Sequence, residues 1–124
     1  MKNSNRLKNI RNYIAKNVAI DNKLYDDLRS LNIVTSTDQL SILCGRNPSY
    51  VRCMRSRGLG MKLGSLTILR ERLAERMEHE SDPTNAILAG YAMKAVEQSI
   101  REKCRIQDER LAGSGSQTSV GDKW

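Results

Sequence analysis

Phenylalanine is absent from this 124-residue chain, and one tryptophan and four tyrosines bring the aromatic share to only 4%. Any core must therefore be aliphatic. Proline occurs twice, at Pro48 and Pro83, so long stretches carry nothing that would interrupt a helix. Ala, Leu, Arg and Glu are plentiful, which favours an all-α protein. Long apolar runs are also missing. That excludes a membrane-spanning helix and leaves the start of the chain without the apolar segment of a secretory signal. Cysteine appears as an odd set, Cys44, Cys53 and Cys104, with no C-x-x-C spacing. Reduced thiols in the cytoplasm are the expectation. A zinc site built from Cys44, Cys53 and the lone His79 would match no ligand motif. His79 has no recognisable nucleophile partner and paired carboxylates are not evident, so neither an enzyme nor a cofactor is expected.

Acidic residues are missing from one long stretch. Between Asp38 and Glu71 the chain carries Arg46, Arg52, Arg55, Arg57, Lys62 and Arg70 and no carboxylate. The overall charge is +7, and residues 1–23 hold six Lys/Arg against one Asp, while residues 81–124 hold six of each. The positive field is thus N-terminal and central. It suits a polyanion, and nucleic acid fits better than a membrane surface.

The most informative stretch is Ser36 to Gly58, STDQLSILCGRNPSYVRCMRSRG. Ser36 and Gln39 have the spacing of a capping box at a helix start. Leu40, Leu43 and Cys44 fall on one apolar face. Gly45 suits the left-handed conformation that ends a helix. Asn47 is a good cap and Pro48 suits the first position of a second helix. In that second helix Val51 and Met54 would be buried, leaving Ser49, Arg52, Arg55 and Ser56 toward solvent. This is a helix, a tight turn and a helix rich in arginine, an arrangement whose second helix can enter the DNA major groove. Helical hairpins with a glycine turn also occur in proteins that never touch nucleic acid.

At these residues the chain resembles the Cro/repressor-type helix-turn-helix family. The likeness rests on Ser36, Leu40, Gly45, Asn47, Val51 and Met54, with Ser65, Leu66, Leu69 and Leu73 resembling the next helix, and it covers residues 36–77. Arg55 stands where that family often has an acid, the closing glycine falls one residue late at Gly58, and Ile42 is apolar where the family is usually polar. Residues 24–77 also look like a group of small, uncharacterised proteobacterial proteins, through LYDDLRSLNIVTS, GRNPSY and RSRG.

Around this centre the pattern predicts further helices. Leu7, Ile10, Ile14 and Val18 form a stripe in a basic helix over residues 2–19, and Asp21 reads as the cap of a second helix carrying Leu24, Leu28 and Leu31 and ending at Asn32. The glycines at 58, 60 and 64 fit no phosphate-binding motif; as a loop they and Lys62 would touch the DNA backbone. Ser65 to Glu80 reads as a helix buried through Leu66, Leu69, Leu73 and Met77. Asp82 and Pro83 open a last helix to Leu111, with Leu88, Ala92, Val96, Ile100 and Cys104 recurring every fourth residue and Ile87, Tyr91 and Ala95 as a second edge. Such a helix is too long for a small fold to cover wholly, so it is expected to pair with a second subunit; the alternative is a single helix that packs back on the domain with a solvated end. The tail, residues 113–124, has a flexible composition.

The expected architecture is all-α: a helix-turn-helix core of about five helices with a long C-terminal helix. Residues 1–80 would form the DNA-binding domain, 81–112 a dimerisation helix and 113–124 a tail. The resemblance implies a cytoplasmic, homodimeric regulator of transcription in a bacterium or phage, binding double-stranded DNA. The expected contact set is Arg46, Asn47, Ser49, Tyr50, Arg52, Arg55, Arg57 and Lys62. Arg46, Arg57 and Lys62 would hold phosphates, Ser49 and Arg52 would reach base edges, and Tyr50 and Arg55 could serve either role. The leading alternative is a protein-interaction adaptor or anti-regulator on the same scaffold. A third is nonspecific nucleic-acid or RNA binding.

Overall fold

The computed structural model describes residues 2–113, with side chains for 10–111. Five helices account for them: α1 (Lys2–Ser30), α2 (Thr37–Leu43), α3 (Tyr50–Ser56), α4 (Leu63–His79) and α5 (Pro83–Gly113). The fold is all-α with a long C-terminal helix, as the composition requires. No helix among the described residues is long and apolar enough to cross a membrane. The tail expected beyond Gly113 lies outside the described residues, as does the side chain of Leu7.

Two expected N-terminal helices are one. Nothing between Ala15 and Leu24 can break a helix, and Asp21 does not cap one. It sits on the buried stripe of α1 with Leu24 and Leu28, only 6% exposed. The upstream stripe is less covered than its spacing predicts: Ile14 and Val18 are half-buried and Ile10 is exposed. At 29 residues α1 runs about 43 Å. That length gives α5 a track.

Helix α5 lies antiparallel to α1 and packs on α4 as well. Its buried residues are Ala89, Ala92, Val96, Ser99, Lys103 and Ile106. The expected row ending at Cys104 departs from this because a strict four-residue step turns about 40° off a helix face each time. By Cys104 the row has rotated to solvent. Lys103, which stands among the charged residues Arg101, Glu102 and Arg105, takes the inward position instead. The charged end of α5 does not project freely. Lys16 Nζ lies 3.7 Å from Glu109 Oε1, and Arg110 stacks over the Tyr13 ring at 4.9 Å. Ala92 and Val96 join the same core as Leu24, Leu28, Leu40, Cys44, Val51, Leu66, Leu69 and Leu73. Residues 81–111 therefore share the core of residues 10–80.

Three helices end alike. Asn32, Gly45 and Gly58 each have positive φ, at 59°, 77° and 69°. At each, the following residue's N–H returns to the carbonyl five back and the residue's own N–H to the carbonyl three back, as in Arg46 to Ser41 and Gly45 to Ile42. These bonds satisfy carbonyls that a helix end leaves open. For α2 the closure is shared with α4: Arg72 Nη1 donates to Ile42 O at 2.7 Å and Leu43 O at 3.2 Å. The capping box at Ser36 is offset by one. Ser36 Oγ accepts from Gln39 N at 3.2 Å, but Gln39 Oε1 accepts from Thr35 N at 2.7 Å rather than from Ser36. At the start of α5, Asp82 Oδ1 accepts from Thr84 N at 2.9 Å, the expected cap.

A buried polar junction fixes the loop after α3. Lys103, 4% exposed, lies 2.8 Å from Asp21 Oδ1, a charge contact not aligned as a hydrogen bond. Its ammonium donates to Asn17 Oδ1 at 2.6 Å and to Met61 O at 2.9 Å. Asp21 Oδ2 accepts from Met61 N. The loop can approach only because residue 60 is glycine: a Cβ there would stand 2.8 Å from Asn17 Cγ. Burial pushes the Asp21 carboxyl above its ordinary range and the Lys103 ammonium below its own, and their mutual attraction offsets only part of each shift.

Removing one member strands the other charge in the interior. Asp21→Leu and Lys103→Met should each cost about 3–5 kcal/mol in urea unfolding, and the double variant less than their sum. Strictly additive losses would show that the two act independently. Cysteine reactivity gives a second check. Cys53 and Cys104 are exposed, whereas Cys44 is buried and its thiol is pushed up to about 12. At about pH 8 a disulfide reagent should titrate two thiols in the native protein and the third only after denaturant is added. Rapid reaction of all three would contradict this core.

Candidate nucleic-acid interface

Helix α3 starts at Tyr50, two residues later than Pro48. The residues before it form a turn that Asn47 stabilises. Asn47 Oδ1 accepts from Ser49 N at 3.1 Å and Ser49 Oγ at 2.8 Å, and Tyr50 N donates to Asn47 O at 3.1 Å. The first turn of α3 is also fastened from α2. Ser41, fully buried, accepts the Val51 N–H at 3.0 Å through its hydroxyl and donates to Thr37 O at 2.9 Å. One hydroxyl thereby sets α3 against α2. Sequence reasoning passed over Ser41, although a small polar residue between Leu40 and Leu43 on a short apolar helix was the available signal.

Val51 and Met54 point inward, 2% and 8% exposed. With about 100° between successive residues, this turns Ser49, Arg52, Cys53 and Ser56 outward. Arg52, Cys53 and Ser56 are exposed and Ser49 is half-exposed. Arg52 does not project freely: its Nε donates to Asp38 Oδ1 at 2.9 Å, across from the first turn of α2. Asp38, the last acid before the basic stretch, is a neighbour that the sequence reading left unassigned.

The remaining candidates divide by their partners. Tyr50 faces the start of α4, where its Oη accepts from Lys62 N at 3.0 Å and from Ser65 Oγ at 3.1 Å. Arg46 Nε donates to Ser65 Oγ at 3.0 Å and its guanidinium lies 5.2 Å from the Tyr50 ring centre. Arg46 and Tyr50 thus link the turn to α4. Arg46 stays exposed; Tyr50 is half-buried with its hydroxyl committed inward. Arg55 reaches toward α1 and stacks over Tyr25 at 5.4 Å. Arg57 and Lys62 are exposed, and among the described residues their side chains enter no ion pair, hydrogen bond or ring contact.

The structure therefore gathers the eight residues around one short helix and its flanking turns, with differing freedom. Arg57 and Lys62 are unrestrained cations. Arg46, Arg52 and Arg55 are exposed cations held by neighbours. Asn47 and Ser49 shape the turn, and Tyr50 braces it. A surface of this kind can neutralise phosphates and offers hydrogen-bond donors in quantity. For metal chemistry the arrangement is poor. Cys44 is buried while Cys53 and His79 are exposed, and among the described residues no three His, Cys, Asp or Glu side chains gather as a ligand set.

No curated protein and no solved structure matches the chain. Residues 22–111 match the model of a family of unknown function, DUF6626. That span runs from the last third of α1 almost to the end of α5 and takes in all of α2, α3 and α4. The chain therefore belongs to this family of unknown function, DUF6626.

Proposed function

We propose that the chain is a sequence-specific DNA-binding regulator of transcription, acting as a homodimer in the cytoplasm, with α3 as the helix that enters the major groove. The observation that carries this reading is the outward face of α3. It presents Ser49, Arg52 and Ser56, is flanked by Arg55 and Arg57, and lies in a stretch without a carboxylate from residue 39 to residue 70. The resemblance to Cro/repressor-type proteins at Ser36, Gly45, Asn47, Val51 and Met54 supports it. On this reading Arg46, Arg57 and Lys62 hold phosphates, which position the protein, and Ser49 and Arg52 meet base edges, which specify the site. The work is binding, without covalent chemistry. Ile87 and Tyr91, 58% and 56% exposed on the outer side of α5, would supply the contact between subunits. Two α3 helices would then read half-sites about 34 Å apart.

One observation favours the rival reading of a protein-interaction adaptor. Ile42 on α2 and Ile68 on α4 are 52% and 39% exposed. Ile68 also lies beside Gly45, its Cγ2 3.3 Å from the position of a Cβ there. This small apolar surface has no use in holding phosphates.

A pool of genomic fragments that includes the protein's own promoter region, bound at two salt concentrations, separates the readings. The regulator reading expects one palindromic site that survives the higher salt. Arg57→Ala and Lys62→Ala should each reduce the slope of log K against log salt by about 1. Arg52→Ala combined with Arg55→Ala should abolish site binding while helicity is kept. Uniform binding that fades with salt, or none, would overturn the regulator.

A further inference from the structure

The ion pair between Arg52 and Asp38 has a geometry with a chemical consequence. Resting on the DNA-binding reading above, we propose that Asp38 presents Arg52 end-on and so makes guanine the base required at one position of each half-site. Arginine has five N–H donors in a flat fork. The Nε edge is taken by Asp38 Oδ1 at 2.9 Å. Four N–H groups remain on Nη1 and Nη2, and two of them, one on each nitrogen, lie parallel at the end of the fork. Arg52 lies on the outward face of α3, where Val51 and Met54 turn it away from the core.

Only one base edge in the major groove matches two adjacent donors. Guanine offers two acceptors, O6 and N7. Adenine pairs an acceptor with a donor, cytosine offers a donor, and thymine an acceptor beside a methyl group. A freely rotating arginine can satisfy a phosphate as well as a base. An arginine with its Nε edge held cannot turn that edge to a phosphate, and it loses less rotamer freedom on binding. Asp38 therefore acts as a positioning residue, and Arg52 as the residue that determines the base. Arg55, held over the Tyr25 ring instead of by an acid, has no such constraint on its hydrogen-bonding edges.

The test uses the full chain and a pool of duplex DNA with randomised sequence, selected with the wild type, Asp38→Ala and Arg52→Ala. Circular dichroism confirms that each variant is folded. The wild type is expected to enrich a motif with guanine at one fixed position per half-site. Arg52→Ala should erase the preference at that position and leave the others. Asp38→Ala should leave binding to non-site DNA no weaker, since it removes a negative charge facing DNA, while guanine preference at that same position falls from the roughly 5- to 150-fold that one bidentate contact provides toward none. A purely structural role for Asp38 would instead weaken every position together. Unchanged guanine preference in Asp38→Ala, or an Arg52-dependent position that is not guanine, overturns this inference while the regulator reading stands. A wild type that enriches no motif overturns both.

Discussion

The pairing of Asp21 with Lys103 ties the two longest helices to the loop that leads out of the basic helix α3. The two charges come from the two longest helices, and the backbone they hold, Met61, belongs to the loop that leaves α3. Such a pair is a poor source of net stability, because the desolvation of both ions consumes most of their attraction. Its effect lies in register. The apolar residues that the two helices place in the common core, Leu24, Leu28, Ala92 and Val96, tolerate sliding. A charge pair with two backbone partners does not. It admits one alignment of the helices, and that alignment sets where α4 begins and where Lys62 stands.

A second layer of polar contacts links the short helices to this frame. Ser41 joins α2 to the first turn of α3, Ser65 and Tyr50 join the start of α4 to α3, and Arg72 seals the end of α2 from α4. Each contact satisfies a helix-end group or a buried hydroxyl that would otherwise be costly to leave unpaired. Helices of seven residues are marginal alone. Here α2 and α3 persist because their ends are completed by side chains from neighbouring elements. The cations at the surface are thus carried by backbone that is anchored on several sides, while Arg57 and Lys62 keep their own side-chain freedom.

Local signals in the sequence were readable. Gly45 at a helix end, Asp82 before Pro83, the Leu66–Leu69–Leu73 face and the Val51–Met54 pair act within a few residues, and the structure has each. What the sequence concealed was long-range. Asp21 has the chemistry of a cap, and only Lys103, remote in sequence, makes it a buried partner. Lys103 itself lies among charged residues that do face water. The last helix departs from its expected row at the far end because a four-residue row approximates a helix face only over a few turns. At the candidate interface the exposure of Arg52, Arg55, Arg57 and Lys62 followed from the pattern. The inward commitment of the Tyr50 hydroxyl and the hold of Asp38 on Arg52 did not, since both need contacts between elements. The function the eight residues serve rests on chemistry and resemblance, as the family carries no known activity.

The three left-handed helix ends and the buried junction also differ in when they can form. At Asn32, Gly45 and Gly58 the closing hydrogen bonds span three to five residues. The bonds of the junction span 40, 42 and 86 residues. Loop-closure entropy weighs little on the first set and must be overcome in full for the second. The chain can therefore mark where α1, α2 and α3 stop before its distant helices have met. Formed after the main barrier, the Asp21–Lys103 junction would leave the folding rate nearly untouched, and removal of one partner would appear as faster unfolding. On that account the pair acts as a latch, determining how long the native arrangement lasts once it is reached.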